Sequence, residues 1–382
     1  MLQRSLESKP LFYDEIDYER MPRIYAGIAS CFHLPKIVHI VGTNGKGTTG
    51  RFLATALYKK GFHVGHYTSP HIMKFNERIW YDGEDISDVA LEDTHKELLS
   101  ILTQEDRDAL SYFEYTTLLA MLFYSNKCDY IILEAGLGGE HDATSVFQSD
   151  ITLVTPIDKD HEAFLGSSIE EIARTKMLSI KSVAIVTTQK HPVVYEVLRE
   201  IEKEREIKAF RVEDLITQTD KTNITLIAEH EHLAGYLQQN LALSIATLNY
   251  LGIGYSVENF FDARLFGRVT HLSENILIDV GHNVLAANSL LQYLQPKKYT
   301  FIYNSYRDKN YKEILAILKP VIDEVELIDV YNARIEESTY LQKALDELGI
   351  KYRKFETIKP EKEYVVFGSF SVVEAFLEFW QK

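Results

Sequence analysis

The stretch Lys36–Thr49 reads KIVHIVGTNGKGTT and decides the fold of the first part of the chain. An apolar run typical of a buried strand leads into a loop with three glycines and one lysine, and residues 51–58 then have the pattern of a helix. Glycines let backbone N–H groups turn toward a phosphate, and the start of a helix adds a positive dipole. The stretch therefore predicts a phosphate-binding loop and nucleotide-dependent chemistry.

The spacing of this loop differs from the common G-x-x-x-x-G-K-[ST] pattern. Two residues separate Gly42 from Gly45, and Gly47 stands between Lys46 and Thr48. An ordinary glycine-rich turn is the alternative interpretation. The lysine, the hydroxyl groups and the strand–loop–helix order together favour phosphate binding.

Length and composition narrow the class of protein. The chain has 382 residues, which predicts two domains, and its formal net charge of −15 argues against a nucleic-acid partner. Cys31 and Cys128 are too few for a disulfide framework, so a reduced cytoplasm is the expected setting. Residues 1–7 lack the apolar stretch of a signal peptide, and no apolar run has the length of a bilayer span. We expect a cytoplasmic protein without a membrane partner.

Strand-like and helix-like patterns alternate along the chain, as in proteins whose parallel sheet is covered by helices on both faces. The first series predicts strands at 36–41, 129–134, 150–155 and 182–187, and helices at 88–103, 112–126, 168–180, 192–204 and 237–251. The second series predicts strands at 276–280, 299–303, 325–329 and 364–367, and helices at 284–294, 310–318, 337–348 and 371–381. We predict an α/β protein: a P-loop ATPase domain with a mostly parallel sheet, residues 1–262, followed by a smaller Rossmann-like α/β domain, residues 263–382.

Polar residues follow three strand-like runs of the first domain, at the edge where open α/β sheets bind ligands. Ser69 and Glu134 offer oxygen atoms, which Mg²⁺ prefers, and His161 offers an imidazole. Structural interpretations remain open for each: a turn at Ser69, a solvated carboxylate at Glu134 and a structural hydrogen bond at His161.

Four further residues are candidates with structural alternatives. Lys176 lies on a predicted helix, where a solvated lysine is the plain interpretation. Arg268 has the charge to stabilise a transferring phosphoryl group, unless it forms a salt bridge between domains. Asp279 and His282 follow the first clear strand of the second domain, where a ligand site or a simple turn is expected.

The motifs, taken in chain order, resemble one family closely: the folylpolyglutamate synthase and dihydrofolate synthase enzymes, a branch of the Mur ligase superfamily. The unusual spacing of the phosphate loop is a property of that family. The matching stretches cover almost the whole chain: Gly42–Thr48, Ser69–His71, Glu77–Ile79, Phe113-Glu114, Thr116-Thr117, Glu134–Gly139, Asp142–Thr144, Thr155–Ile157, Asp160-His161, Gly267-Arg268, Asp279, His282-Asn283, Asp308-Lys309 and Gly368–Phe370.

The resemblance implies a reaction. In the family, ATP phosphorylates a substrate carboxylate, and the amino group of L-glutamate attacks the acyl phosphate to give an amide, ADP and phosphate. We expect dihydropteroate as the acceptor, and tetrahydrofolate as a second acceptor that is extended with glutamates. We also expect a monomer, as is usual among folate ligases.

The resemblance also implies site residues. Lys176 matches a lysine that the family carries in N-carboxylated form, an anion with two oxygen atoms suited to a second Mg²⁺. The implied residues are, for ATP, Asn44, Gly45, Lys46, Gly47, Thr48, Asn240, Arg268 and Asp279; for two Mg²⁺ sites, Thr48, Ser69, Glu134, His161 and Lys176; for catalysis, Lys46, Lys176, His161, Arg268 and His282; and for the pterin substrate, Arg20, Phe113, Glu114, Thr116 and Asp142.

Two other hypotheses remain. One is a Mur-type ligase that acts on a different carboxylate, such as a cell-wall precursor; the lack of an additional UDP-sugar domain before the phosphate loop argues against it. The other is a binding protein that hydrolyses ATP only to switch, which leaves Arg268, Asp279 and His282 without a role.

Overall fold

The computed structural model describes residues 2–7, 9 and 17–381; residues 1, 8, 10–16 and 382, which belong to the predicted domains, lie outside the described part. The chain forms two compact units. The first unit comprises Met1–Glu231 and Gln238–Ala263, and the second comprises His232–Leu237 and Arg264–Lys382.

The first unit is built on an eight-stranded sheet. Its strands are β1 (Lys36–Val41), β2 (Val64–Tyr67), β3 (Ile79–Tyr81), β4 (Glu84–Asp85), β5 (Tyr130–Glu134), β6 (Ile151–Val154), β7 (Val183–Val186) and β8 (Lys208–Arg211). Their order is β4-β3-β2-β5-β1-β6-β7-β8; the β2–β3 and β3–β4 pairs are antiparallel, and the other pairs are parallel. Strand β1 therefore lies between β5 and β6, and the glycine loop that follows it is flanked by the carboxyl ends of both.

Helices accompany this sheet and bury its apolar strands. The α-helices that begin before residue 264 are α1 (Leu2–Glu7), α2 (Arg20–Ile28), α3 (Lys46–Lys59), α4 (Asp88–Ile101), α5 (Gln104–Ala109), α6 (Tyr112–Tyr124), α7 (Glu162–Leu165), α8 (Ile169–Met177), α9 (Val193–Arg205), α10 (Val212–Leu215), α11 (Gln218–His230) and α12 (Gly235–Leu251), whose first residues belong to the second unit. One core cluster joins α2, α4 and α6 to β2 and β5, and another joins α8 and α9 to β6 and β7. No helix in the described residues combines the length and the apolar character that crossing a bilayer requires.

The second unit is built on a six-stranded sheet. Its elements are β9 (Thr270–Ser273), β10 (Ile276–Asp279), α13 (Val284–Leu294), β11 (Tyr299–Tyr303), α14 (Tyr311–Leu318), β12 (Ile322–Leu327), α15 (Ser338–Leu348), β13 (Tyr352–Lys354), β14 (Tyr364–Phe367) and α16 (Phe370–Trp380). The order is β13-β12-β11-β14-β10-β9, and only β9 is antiparallel to its neighbour. Strand β10 ends at Asp279, directly before the loop that leads into α13.

Two mostly parallel sheets confirm the predicted α/β class. Some boundaries differ. Strand β12 begins at Ile322, whereas the sequence predicted a start at residue 325. The prediction began too late because Asp323 and Glu324 interrupt the apolar run at the start of the strand. The predicted domain boundary assigned residues 232–237 to the first domain, whereas the structure groups them with the second unit. No sequence pattern indicated that residues 232–237 belong to the second unit.

Candidate active site

The phosphate loop connects β1 to α3 and is tied to the end of β6. The N–H groups of Thr43 and Asn44 donate to the Pro156 carbonyl oxygen at 2.9 and 3.4 Å, and the Thr43 hydroxyl donates to the Asp158 carbonyl oxygen at 2.9 Å. Gly45, the last residue before α3, has a φ of +87°, a left-handed conformation that glycine adopts without strain. These contacts hold the loop at the carboxyl edge of the sheet, before the positive end of the α3 dipole.

Two predicted catalytic lysines meet at this loop. Lys46 Nζ donates to the carbonyl oxygens of Gly42 and Thr43 at 3.2 and 3.3 Å, and Lys176 Nζ donates to the same Gly42 oxygen at 3.0 Å. Burial, and then the positive charge of Lys46, lowers the pKa of Lys176 to about 7. The loop thus contacts two lysine side chains, and the amine of Lys176 is partly uncharged near neutral pH.

Asn240 of α12 lies against the same loop. A Cβ atom at Gly45 would overlap the Asn240 side chain, which is buried. The Ser244 hydroxyl, one turn further along α12, donates to the Thr49 carbonyl oxygen of α3 at 2.9 Å. Asn240 Nδ2 has no hydrogen-bond partner among the described residues. The side chain therefore keeps a buried donor beside the loop, which fits an oxygen-rich ligand.

A carboxylate ends the strand next to the loop. Glu134 is the last residue of β5, opposite Ile40 of β1, and is 5% exposed. Its Oε2 accepts from the Thr68 hydroxyl and from the Ser69 N–H at 3.2 Å. The structure thus brings Glu134 and Ser69 together at one edge of the sheet. Two residues that bind the same cation must lie close together in this way.

His161 follows β6 at the same edge. It precedes the short helix α7 with a φ of +51°, a left-handed conformation that is uncommon outside glycine. Asp160 Oδ1 accepts from the His161 N–H at 2.9 Å. Such backbone strain is frequent at functional sites, and it supports His161 as a candidate metal ligand whose side chain is held in one direction.

The predicted metal residues form a set that is rich in oxygen donors. In residues 2–7, 9 and 17–381, no three His, Cys, Asp or Glu side chains are gathered as a metal site, and the predicted set holds only two residues of these types. The carboxylate of Glu134 and the hydroxyls of Ser69 and Thr48 fit Mg²⁺. The unmodified amine of Lys176 does not fit, and only its carboxylated form would supply oxygen ligands.

The glycine loop after β5 lies directly on the helix of Lys176. A Cβ atom at Gly139 would lie 2.7 Å from the Lys176 Cα atom, and the Glu140 N–H donates to the Thr175 carbonyl oxygen at 2.9 Å. The Ser145 hydroxyl donates to the Gly139 carbonyl oxygen. This close backbone approach fixes α8, and with it Lys176, relative to the strand that ends in the candidate carboxylate.

Two of the predicted substrate residues are paired with each other. Arg20 of α2 donates from Nε to both carboxylate oxygens of Glu114 at 3.2 and 3.0 Å, and from Nη2 to Oε1 at 3.1 Å. Glu114 also accepts from the Ser111 N–H at 2.7 Å at the start of α6. Both side chains are buried. The pair joins α2 to α6, and a contact of either residue with substrate stays a prediction.

Phe113 and Thr116 occupy different positions on α6. The Phe113 ring contacts the place where a Gly136 side chain would lie, and its centroid is 6.1 Å from that of Tyr67. Thr116 has no exposed surface, and its hydroxyl lies 3.0 Å from the Tyr67 hydroxyl and donates to the Phe113 carbonyl oxygen. Phe113 thus lies against the glycine loop, whereas Thr116 is buried and binds the Phe113 backbone.

Asp142 organises the loop after β5. Its Oδ2 accepts from the Leu137 N–H at 2.7 Å, and its Oδ1 accepts from the N–H and the hydroxyl of Thr144 at 3.0 and 2.5 Å. Burial raises the pKa of Asp142, while these hydrogen bonds and the charge of Lys46 oppose that rise. The carboxylate is therefore engaged by its own loop on both oxygens.

The candidate residues of the second unit gather at the end of β10. Asp279 is buried and accepts from the Val269 N–H at 3.0 Å and the Gly281 N–H at 2.7 Å. The Arg268 guanidinium stacks over the Phe370 ring at 4.9 Å and its charge counteracts the rise that burial imposes on the pKa of Asp279. His282 Nδ1 lies 3.1 Å from the Val280 carbonyl oxygen. These three predicted residues therefore share one edge of the second sheet.

Two polar contacts of these sites were missed from the sequence. The Thr68 hydroxyl binds Glu134, and the Tyr236 hydroxyl donates to Asp279 at 3.2 Å. Thr68 directly precedes Ser69, so the strand-end pattern contained a signal for it. No motif points to Tyr236, because 43 residues separate it from Asp279.

Comparison with known proteins identifies relatives over most of the chain. No family model matches. The dihydrofolate synthase/folylpolyglutamate synthase of Haemophilus influenzae is 31% identical over 325 residues, covering 76% of this chain and 74% of the relative. The Escherichia coli protein of the same name is 30% identical over an alignment of 403 positions, covering 98% of this chain and 93% of the relative.

Solved structures agree with these relatives. Helicobacter pylori folylpolyglutamate synthetase has a TM-score of 0.81 and 37% identity, covering 100% of this chain and 98% of that one. Escherichia coli FolC in complex with DHPP and ADP has a TM-score of 0.81 and 27% identity, covering 100% and 97%. The Yersinia pestis bifunctional enzyme in complex with AMPPNP and a Mn ion has a TM-score of 0.81 and 25% identity, covering 100% and 97%.

Sequence identity at this level extends over most of both chains, and the fold agrees over the full length. The resemblance that the motifs predicted is thereby confirmed. The chain belongs to the dihydrofolate synthase/folylpolyglutamate synthase family.

Proposed function

We propose that this chain is an ATP-dependent ligase that adds L-glutamate to dihydropteroate, and to tetrahydrofolate in chain extension, through an acyl phosphate. The observation that carries the proposal is the convergence of Lys46 and Lys176 on the Gly42 carbonyl oxygen, beside Glu134. Family membership supplies the reaction class, and relatives solved with DHPP and ADP, and with AMPPNP and Mn, support the ligands.

The loop residues have the chemistry to hold the phosphates of ATP. Gly45, Gly47 and Thr48 present backbone N–H groups or a hydroxyl at the positive end of α3, Asn44 carries a side-chain amide at the same place, and Lys46 provides a cation for the terminal phosphates. The buried Asn240 Nδ2 is a further donor at this position. In phosphoryl transfer, such donors act mainly by positioning and by neutralising charge as the γ-phosphoryl group moves.

Glu134, Ser69, Thr48 and His161 are the proposed holders of Mg²⁺, with Lys176 added in carboxylated form for a second ion. A bound Mg²⁺ neutralises charge on the transferring phosphoryl group. The Thr68 hydroxyl and the Ser69 N–H orient the Glu134 carboxylate, so its direction is fixed before a cation binds.

Carboxylation of Lys176 is supported by its environment. Because the pKa of Lys176 is lowered to about 7, a large fraction of the amine is uncharged at neutral pH and can attack CO₂. The new N–C bond gives a carbamate, and the amine releases one proton. The product is an anion next to the cation of Lys46, which favours it electrostatically.

The carbamate is directly observable. We expect a carbamate carbon signal in the ¹³C NMR spectrum of the protein in [¹³C]bicarbonate, and its loss in Lys176→Met. An unmodified, solvent-facing amine in a crystal structure of the active, CO₂-equilibrated enzyme would contradict this assignment.

The second unit and the pterin residues complete the proposal. Arg268 and Asp279 are proposed to contact the nucleotide, and His282 is proposed to act near the glutamate and phosphate. Phe113 and Asp142 are proposed to face the pterin, with Arg20, Glu114 and Thr116 supporting them through the contacts described above. The proposal treats the chain as a monomer, which light scattering of the purified protein would test.

One assay tests the function. Pure protein is incubated with ATP, Mg²⁺, L-glutamate and either dihydropteroate or tetrahydrofolate, and phosphate release is measured. We expect release that requires both glutamate and the pterin. Release that requires a cell-wall precursor instead, or that requires neither acceptor, would support a Mur-type ligase or an ATP-driven switch and would overturn the proposal.

A further inference from the structure

Tyr236 contacts the candidate site of the second unit from outside its strand motifs. It lies in the segment His232–Leu237 at the start of α12 and is partly buried. Its hydroxyl lies 3.2 Å from Asp279 Oδ2. Since a carboxylate accepts and a phenol donates, the O–H of Tyr236 is the donor in this contact.

The acceptor positions of Asp279 show what this donor contributes. Oδ1 accepts from the Gly281 N–H, and Oδ2 accepts from the Val269 N–H and from Tyr236. A carboxylate has about four acceptor positions, so Oδ2 is filled and Oδ1 keeps one position. By binding Oδ2, the tyrosine hydroxyl therefore helps to fix the orientation of the carboxylate and the direction of the open acceptor position on Oδ1.

A side chain at Gly281 could not replace Tyr236 as a hydrogen-bond donor to Asp279, because there is no space for a Cβ atom at this position. A Cβ atom there would lie 2.8 Å from Asp279 Oδ1 and 2.7 Å from the Ala286 Cβ atom. The two backbone donors come from the chain on either side of β10, and Tyr236 is the side-chain donor in the described contacts of Asp279.

We propose that Tyr236 is a positioning residue for the ligase reaction: its hydroxyl orients the Asp279 carboxylate so that the open acceptor position of Oδ1 receives a hydrogen-bond donor of the bound nucleotide. The inference rests on the proposed function, in which Asp279 contacts ATP. It adds a residue that no motif of the chain marks.

The protonation state of Tyr236 agrees with this role. Burial and the negative charge of Asp279 raise the pKa of Tyr236 well above its ordinary value, so the phenol keeps its proton. Burial raises the pKa of Asp279, and the charge of Arg268, the N–H groups of Gly281 and Val269, and the hydrogen bond from Tyr236 oppose that rise. Removal of the tyrosine hydroxyl therefore raises the pKa of the carboxylate.

The test is Tyr236→Phe, with Tyr293→Phe as the matched control. Tyr293 belongs to the same unit, and its hydroxyl lies 3.3 Å from the exposed His271 ring. Loss of a hydrogen bond to a charged acceptor predicts an increase of about tenfold in the KM for ATP with a smaller change in kcat. It also predicts that the acidic limb of kcat/KM for ATP moves to higher pH, whereas Tyr293→Phe leaves both unchanged.

A double-mutant cycle separates positioning from a general loss of packing. In an Asp279→Asn background, Tyr236→Phe is expected to have no further effect on ADP affinity, because the carboxylate through which it acts is gone. Equal effects of Tyr236→Phe in both backgrounds, or an unchanged KM for ATP and unchanged acidic limb, would overturn the inference.

Calorimetric titration of ADP distinguishes this failure from failure of the proposed function. Wild-type protein that shows no glutamate- and pterin-dependent phosphate release, yet binds ADP with an affinity that Tyr236→Phe weakens, would refute the ligase and support the positioning. Active wild-type protein whose ADP affinity is the same in Tyr236→Phe would refute the positioning alone.

Discussion

The ammonium group of Lys46 is bound by two carbonyl oxygens of its own loop, those of Gly42 and Thr43. These neutral acceptors compensate a full positive charge less well than an ionised acceptor does. A phosphate group is the stronger partner, so we expect Lys46 to exchange carbonyl oxygens for phosphate oxygens when ATP binds.

Lys46→Ala is therefore expected to lower kcat by about 10²- to 10³-fold, the usual effect of removing one stabilising donor. The measurement is phosphate release with saturating substrates. Lys60→Ala, an exposed lysine at the end of the same helix, is the control and should retain activity. An active Lys46→Ala enzyme would show that the loop does not hold the phosphates.

His39 links the centre of the sheet to the loop of Asp142. Its Nε2 lies 2.8 Å from the Thr144 hydroxyl, whose own proton is donated to Asp142. The hydroxyl has one proton, so the ring nitrogen is the donor in the first contact. Burial, with a contribution from Lys181, lowers the pKa of His39 to about 3.

This pKa predicts a loss of stability in acid. Between pH 6.5 and about 3, the unfolded chain binds a proton at His39 that the folded chain does not, so the free energy of unfolding falls as the pH decreases. From pH 7 to pH 5, His39 should account for about 2 kcal/mol of this fall. Urea unfolding at both pH values measures it, and His39→Gln should make the loss smaller.

His63 is the control for this prediction. Its side chain is exposed, and its hydrogen bond to Asp82 raises its pKa. Replacement of His63 by Gln should therefore not reduce the acid loss. An acid loss that is the same in His39→Gln and wild type would assign the effect to other groups.

At the scale of elements, the glycine loop after β5 and the helix α8 approach each other at backbone distance. A methyl group at Gly139 would meet the backbone of Lys176, which has no freedom to rotate away. We expect Gly139→Ala to lower the free energy of unfolding by about 1–3 kcal/mol or more, and to lower activity because Lys176 is displaced.

Gly27→Ala is the matched substitution, since no atom lies within 4 Å of the added methyl group on the helix α2. It should be neutral or stabilising by up to about 1 kcal/mol. Chemical unfolding of both variants measures the difference. Equal stability of the two variants would mean that the loop after β5 moves freely on α8.

Elements differ in how well the sequence predicts them. The strands β11 and β14 and the helix α13 have the predicted bounds, because each apolar pattern ends in a clear turn. The short strands β3, β4, β8, β9 and β13 were not predicted, since none of them has the four consecutive buried residues that mark β14. Their pairing depends on neighbours that are distant in sequence.

The same distinction applies to the candidate site. The glycine loop Gly42–Thr49 is contiguous in sequence, so its local pattern was sufficient to predict the strand, loop and helix that the structure shows, whereas phosphate binding stays a prediction. Arg20 and Glu114 are 94 residues apart, and nothing in either local sequence indicates that they form a buried ion pair. The sequence predicted Arg20 and Glu114 separately as site residues, and the contact between them is visible only in the folded chain.

At the scale of the whole molecule, ligand binding should be visible as stability. A ligand that binds only the folded chain stabilises it by about 2.7 kcal/mol at one hundred times its dissociation constant. We expect ADP with Mg²⁺ to raise the unfolding midpoint in calorimetry, and Lys46→Ala to lose most of the increase. An unchanged midpoint at saturating ADP in an active enzyme would contradict nucleotide binding to the folded loop.

The assignment of His232–Leu237 to the second unit has a consequence for dissecting the gene. A fragment that starts at Arg264 lacks this segment, and with it the buried side chains of Leu233, Ala234 and Leu237 and the hydroxyl that binds Asp279. Exchange of the C-terminal part between homologues at residue 263 would combine Asp279 of one parent with the tyrosine position of the other. A functional chimaera must therefore take the segment and the C-terminal part from the same parent.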